Sequence, residues 1–140
     1  MTELTAPSEA LLAAAREGRA RAYAPYSDFT MGAAVRTASD DIVTGSLVEN
    51  VSLGLAMCAE RVALFTTVTT GHRPTELVLL SKRTAGELTW PCGACLQVAL
   101  ELGGSDLVVH AVDPEGAHDT QRLGDLLPRG PQTKTGGLPA

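Results

Sequence analysis

The three cysteines of the chain fall into two short groups, Cys58-Ala59-Glu60 and Pro91-Cys92-Gly93-Ala94-Cys95. Each group sits where the sequence predicts a helix to begin. A helix start presents free N–H groups and the positive end of the backbone dipole, and both favour thiolate over thiol. Three thiolates from two adjacent helix starts could converge on one zinc ion. Zinc takes sulfur ligands tetrahedrally, and three protein ligands leave the fourth position to water, as in a catalytic rather than a structural site. Glu60 completes this chemistry. Positions two apart on a regular helix point nearly opposite ways. If Cys58 sits half outside the helix, Glu60 faces the same point. There its carboxylate can take a proton from an activated water and hand it to a substrate nitrogen. Arg61 follows directly, and a guanidinium donating to the sulfurs would offset the net negative charge of three thiolates on one divalent ion.

Taken singly, these residues have plainer readings. Cys58 alone would be a small buried apolar side chain. Cys92 and Cys95 alone could form a redox pair or half of a structural zinc site. A closed structural site needs a fourth ligand. His72, His110 and His118 lack motif spacing to the cysteines and read as ordinary surface or strand histidines. Glu60 alone would be a first-turn helix acid, and Arg61 a solvated charge. Phe29 alone would be core, and Glu49-Asn50 a cap on the loop into the next helix. The joint pattern outweighs these single-residue readings.

The elements that must position these groups follow from periodicity and punctuation. Ser8 caps an expected helix over residues 9–21. Ala24-Pro25-Tyr26-Ser27 reads as a turn. Residues 29–37 read as a strand, Asp40-Asp41 as a hairpin turn and residues 42–48 as the return strand. A loop around residues 50–54 leads to a helix over 58–70 that stops at Gly71, although the run Thr66-Thr67-Val68-Thr69-Thr70 is β-branched. Residues 76–81 read as a buried strand, 93–102 as a helix closed by Gly103-Gly104, 106–112 as an apolar strand and 122–127 as a short helix. The order α-β-β-α-β-α-β with a terminal helix predicts an α/β fold, a three-layer α/β/α sandwich around a mixed, about five-stranded sheet.

Composition bounds the rest. The 140 residues predict one domain, with residues 1–7 and 129–140 as loose tails. The chain is 44% hydrophobic and 19% charged, which excludes a disordered chain, and with only 4% aromatics its core must rely on Ala, Val and Leu. The net charge of −5 argues against a basic face held on nucleic acid or anionic membrane, though not against a small nucleoside substrate. No apolar stretch approaches the ~20 residues of a membrane span. The acidic start lacks the basic region of a signal peptide. Three cysteines are a poor disulfide framework, so a reduced, cytoplasmic protein is expected.

The pattern resembles the zinc-dependent cytidine deaminases of the small homo-oligomeric type, whose zinc-site signature is a general one. The similarity runs from about Ala22 to Pro128. It rests on Tyr23-Ala24-Pro25-Tyr26-Ser27-Asp28-Phe29, Val48-Glu49-Asn50, Cys58-Ala59-Glu60-Arg61, Pro91-Cys92-Gly93-Ala94-Cys95, Gln97 and Leu126-Leu127-Pro128, in that order. The resemblance implies a zinc hydrolase with one zinc per chain held by Cys58, Cys92 and Cys95. Glu60 would be the proton shuttle, and Arg61 would support the sulfurs. It implies that Phe29 packs on the pyrimidine, that the Ala59 N–H binds the ring carbonyl and that Glu49 binds a sugar hydroxyl. A homotetramer whose neighbouring loops complete each pocket is also implied, as is a role in pyrimidine salvage. The substrate would be a free nucleoside, cytidine or deoxycytidine, which water converts to the uracil nucleoside and ammonia.

Five positions depart from the family's pattern. Ser46-Leu47 stand where Cys-Asn is usual, Leu53 where Tyr is frequent, Pro131 where an aromatic is expected, and Leu96 where Arg is usual. Leu47 has no hydrogen-bonding group with which to meet a sugar hydroxyl. Leu47, Leu53 and Pro131 concern the sugar side of the pocket. An alternative substrate is therefore a modified cytosine nucleoside, as for blasticidin-type deaminases. A structural zinc or redox-sensing module is the non-enzyme alternative, and it leaves Glu60, Arg61 and Phe29 without a role.

Overall fold

A computed structural model of the chain describes residues 3–132 and 136–140. Parts of both expected tails, residues 1–2 and 133–135, lie outside the described residues. Helix α1 (Glu9–Ala20) begins as its sequence dictates, with Ser8 Oγ accepting from the Leu11 N–H at 3.2 Å. Strands β1 (Met31–Thr37) and β2 (Ile42–Ser46) form an antiparallel hairpin closed by Asp40, which holds a positive φ of 68°. Both are shorter than expected. Leu47 still donates its N–H to the Met31 carbonyl of β1 at 3.1 Å, while Val48 leaves the ladder to bridge Tyr23 and Met57.

Helix α2 (Ala59–Thr69) runs through its β-branched stretch with Ala63 and Leu64 buried in the core, and the hydroxyls of Thr66, Thr67, Thr69 and Thr70 bond to carbonyls one turn back. Gly71, with φ at 80°, follows its end. Strand β3 (Pro74–Ser81), helix α3 (Gly93–Gly103), strand β4 (Val108–Val112), strand β5 (His118–Arg122) and helix α4 (Leu123–Leu126) complete the order. β5 is an addition to the elements read from the sequence. Its residues, His-Asp-Thr-Gln-Arg, carry no apolar signal, and it forms because β4 offers an open edge.

The five strands run in the order β2-β1-β3-β4-β5, with β3 and β4 parallel and the other pairs antiparallel. This is the expected mixed sheet between two helical layers. On one face, Leu11 and Ala15 of α1 pack on Ala34, Val78, Leu80 and Val112. On the other, Ala63 and Leu64 of α2 and Leu96, Ala99 and Leu100 of α3 pack on Ala33, Val35, Leu77 and Val109. The core is built from Ala, Val and Leu, as the shortage of aromatics requires.

Small residues set the layer spacing. A Cβ on Gly45 of β2 would lie 2.3 Å from the Ala59 carbonyl oxygen of α2 and 2.6 Å from the Ala63 nitrogen. Strand β2 therefore touches the first turns of α2 backbone to backbone. His110, expected as an ordinary surface or strand histidine, lies on β4 and is fully buried. Its ring bridges Thr120 Oγ1 at 2.7 Å and Glu76 Oε2 at 2.6 Å. At the other end of the chain, Arg73 bonds the carbonyls of Gly103, Gly136 and Leu138, which ties residues 136–138 against the end of α3.

Candidate active site

The sheet register gathers the chemistry at one end. Gly32 pairs with Ser46, and Met31 with Ser81. The loop before β1, the loop after β2 and the loop after β3 therefore leave the sheet at the same end. Because α2 and α3 run back along the sheet from those loops, both helix N-termini open there. A short ladder finishes the placement. Val48 bridges Tyr23 on one side and Met57 on the other, which puts Glu49 next to the segment that enters Cys58.

Cys58 and Cys92 are the N-cap residues of α2 and α3, with extended backbones at φ/ψ of −67°/146° and −68°/168°. Cys95 lies in the first turn of α3 and is buried, while Cys92 is exposed and Cys58 half-buried. The three Sγ atoms all lie within 4.8 Å of one another, and Cys92 and Cys95 are 3.6 Å apart. A tetrahedral zinc with Zn–S bonds of ~2.3 Å needs sulfurs roughly 3.8 Å apart. The three thiols thus fit the ion in both spacing and softness. Among the described residues, no fourth His, Cys, Asp or Glu joins the cluster.

Because Cys58 stands outside the helical backbone, Glu60 is free to point into the cluster. It is 1% exposed, and its Oε1 is buried without a hydrogen-bond partner. A buried carboxylate oxygen left unpaired is costly and needs a reason. Burial pushes Glu60 up to about 7, with the Cys58 charge adding, against the pull of its own N–H and of Cys95 and Arg61. A group poised near neutrality serves as both acid and base. The bond from Cys95 draws the Cys58 thiol down to about 5, and the Arg61 guanidinium helps. Cys95 moves the opposite way, because it is the partner that keeps its proton. Arg61 Nη2 donates to Cys58 Sγ at 3.3 Å, which raises the guanidinium above its usual value, and Arg61 Nε is buried without a partner. The arginine therefore meets the sulfur cluster as anticipated. Leu96, where a second arginine was looked for, packs into the core.

The surrounding residues divide. Phe29 is half-buried two residues before β1. Glu49 does not cap the loop into α2. Its Oε1 accepts from the N–H groups of Tyr26 and Ser27 at 3.0 and 3.2 Å, and its Oε2 from Ser27 Oγ at 2.5 Å. The Ser27 hydroxyl chiefly holds this carboxyl below its usual value. Asn50 accepts from the Ser52 N–H instead. Leu47 is pinned by its backbone to Met31 and Tyr23, and its side chain packs on the main core. Leu53 is 83% exposed in a short 3-10 turn, Leu53–Leu55. Pro131 is exposed, and its carbonyl accepts from Gln97 Nε2 at 2.8 Å. The sequence reading gave Ser27 no role. Its signal was local, a serine whose hydroxyl can take the N–H two residues on.

Comparison with known proteins bears on this geometry. Residues 6–111 match the family model described as the cytidine and deoxycytidylate deaminase zinc-binding region. The chain is 44% identical over 115 residues to a cytidine deaminase of Mycobacterium tuberculosis, covering 81% of each chain. It is 39% identical over 114 residues to that of Halalkalibacterium halodurans, covering 81% of this chain and 83% of the other. Its fold superposes on the crystal structure of cytidine deaminase from Burkholderia pseudomallei with a TM-score of 0.82 at 41% identity. That match covers 89% of this chain and 99% of the other.

Proposed function

Since the chain belongs to the zinc-binding cytidine and deoxycytidylate deaminase family, we propose that it deaminates a free cytosine nucleoside at the cluster of Cys58, Cys92 and Cys95. It is a zinc-dependent aminohydrolase. Cytidine or deoxycytidine reacts with water at ring carbon C4. The new C4–O bond forms, the C4–N bond breaks, and the uracil nucleoside and ammonia leave. The single observation that carries this reading is the buried, unpartnered Glu60 carboxylate beside three converging sulfurs.

When bound, zinc supplies a Lewis acid that brings the acidity of a water molecule towards neutral pH. The chain's own residues do the remainder. Glu60 takes one proton from the attacking water and delivers it to ring N3, then takes the remaining proton from the new C4 hydroxyl and gives it to the departing amine as the C4–N bond breaks. A carboxyl whose pKa burial raises to about 7 suits this repeated exchange. Arg61 offsets the charge of the sulfurs. Phe29 packs on the pyrimidine, and the Ala59 N–H, at the first position of α2, donates to the ring carbonyl. Glu49 reaches the sugar. Three donors already use its carboxylate, so of about four acceptor positions one is left for a hydroxyl.

A modified sugar is the second reading, and Leu47 favours it. This side chain stands two residues before Glu49 and donates and accepts nothing. A hydroxyl set against it would lose on the order of 1–3 kcal/mol, about tenfold to a hundredfold in kcat/KM. Loss of the cytosine absorbance band, followed with cytidine, deoxycytidine and a panel of nucleoside antibiotics, separates the two. Turnover of the plain nucleosides supports the first reading, and turnover of a sugar-modified compound alone supports the second. Leu47→Asn should shift preference towards cytidine over a 3′-modified analogue. An unchanged preference would show that residue 47 does not face the sugar.

We further propose a cytoplasmic homotetramer acting in pyrimidine salvage. Val51, Leu53 and Leu55 near the site are 78%, 83% and 68% exposed in one chain, and Phe65 and Val68 add apolar surface on α2. Patches of this kind mark contact surfaces. Among the described residues, no helix is long and apolar enough to cross a membrane.

A further inference from the structure

Asp28 has a left-handed backbone, φ 59°, directly before Phe29. A residue other than glycine keeps that conformation only where its surroundings hold it. Here the restraints are specific. The Asp28 N–H bonds back to the Ala24 carbonyl at 3.0 Å. Ser27 Oγ gives its one proton to Glu49 Oε2 at 2.5 Å and accepts the Phe29 N–H at 3.0 Å. Glu49 also collects the N–H groups of Tyr26 and Ser27. Glu49 in turn is fixed by its own N–H to the Tyr23 carbonyl at 2.8 Å and by the neighbouring bridge from Val48 to Met57, one residue before Cys58.

A continuous path therefore runs from the segment entering Cys58, through Glu49 and the Ser27 hydroxyl, to the backbone nitrogen that carries the Phe29 ring. We propose that Ser27 is a positioning residue: its hydroxyl couples Glu49 to Phe29 and sets the aromatic ring against the cytosine base. The proposal deepens the reading in which Phe29 packs on the pyrimidine and rests on it. The hydroxyl is the only group in the path that must donate and accept at once, which a serine or threonine supplies and an alanine does not. The acid strength of Glu49 agrees, since a carboxylate serving three donors stays ionised. Ser27 touches no reacting atom. Its removal should therefore weaken the fit of the base while leaving proton transfer by Glu60 intact.

The test is steady-state kinetics on cytidine with zinc-loaded wild type, Ser27→Ala, Ser27→Thr, Phe29→Ala and the double variant Ser27→Ala/Phe29→Ala. Ser27→Ala should raise KM about three- to tenfold, the effect of one net hydrogen bond, with kcat within about twofold. Ser27→Thr keeps the hydroxyl and should stay near wild type. The double variant should be no worse than Phe29→Ala alone, because the serine acts through that ring. Additive losses in the double variant, an impaired Ser27→Thr that folds normally, or a wild-type KM in Ser27→Ala beside an impaired Phe29→Ala would each overturn the positioning role. A wild-type KM in Phe29→Ala would instead overturn the stacking reading beneath it.

Discussion

Replacing Gly45 by alanine tests whether backbone spacing, rather than any polar group, holds the site in register. The added methyl would sit 2.3 Å from the Ala59 carbonyl oxygen and 2.8 Å from the Ala63 Cβ, where ordinary contact begins near 3.4 Å. One partner must move by roughly 1 Å. Strand β2 is poorly placed to retreat. It is hydrogen-bonded to β1 through the Ala33 and Gly45 pair, and on its other face the Gly45 carbonyl already lies against Gly18 of α1. The displacement falls on the first turns of α2, which carry Ala59 and Glu60 behind Cys58. Overpacking of this kind costs about 1–3 kcal/mol, which lowers Tm by roughly 3–10 °C for a chain of this size. A misplacement near 1 Å costs about a hundredfold in rate. Thermal unfolding and the cytidine absorbance assay, both with zinc present, give the two numbers. Gly45→Ala with wild-type Tm and kcat/KM would refute the reasoning, because it would mean that α2 yields without disturbing its own N-terminus.

Glu60→Gln should keep zinc, since Glu60 is outside the sulfur cluster, while turnover falls about 10²–10⁴-fold; metal analysis beside kcat decides it, and near-wild-type kcat removes the assigned role. Stripping zinc with a chelator should abolish activity and lower Tm, because the sulfurs tie the start of α2 to that of α3, and stoichiometric zinc should restore both. The Glu76 pKa lies below the usual carboxylate value because its carboxylate is hydrogen-bonded to His110, with Arg36 beside it at 3.4 Å. A depressed carboxylate stabilises the fold above its unfolded value and loses that contribution as pH falls through the folded one. Glu76→Gln should therefore cost about 1–2 kcal/mol in urea unfolding at pH 7, and the gap to wild type should close below about pH 4; a gap that persists in acid contradicts the ionic origin.

The convergence of Cys58, Cys92 and Cys95 at two helix starts, with Glu60 buried beside them, is legible because the proposed chemistry fixes both residue type and position relative to a helix start. Ser8, the Asp40 turn and Gly71 were legible for the same local reason. The contacts that only tertiary structure creates were not. Nothing in the sequence around His110 announces Glu76, which reaches it from a neighbouring parallel strand. Taken singly, Glu49-Asn50 reads as a cap for the loop that follows, and nothing in the sequence announces that the partners of Glu49 are residues 26 and 27, earlier in the chain. β5 escaped notice because pairing to β4, not apolar alternation, makes it a strand.

That same strand limits how the molecule can grow. Among the described residues β5 pairs only with β4, so its outer side is an edge of the sheet. Such an edge is a template on which a second chain could add by backbone pairing. His118, Asp119, Thr120, Gln121 and Arg122 give an arriving strand no apolar surface to bury and charges to strip of water. Extension of the sheet from copy to copy is therefore unfavourable at this edge, even at high concentration. Copies that associate must then use another surface, and the helical and loop faces that carry Phe65, Val68 and Leu53 offer exposed apolar area. Assembly through those faces can close on itself, whereas strand addition can continue without end.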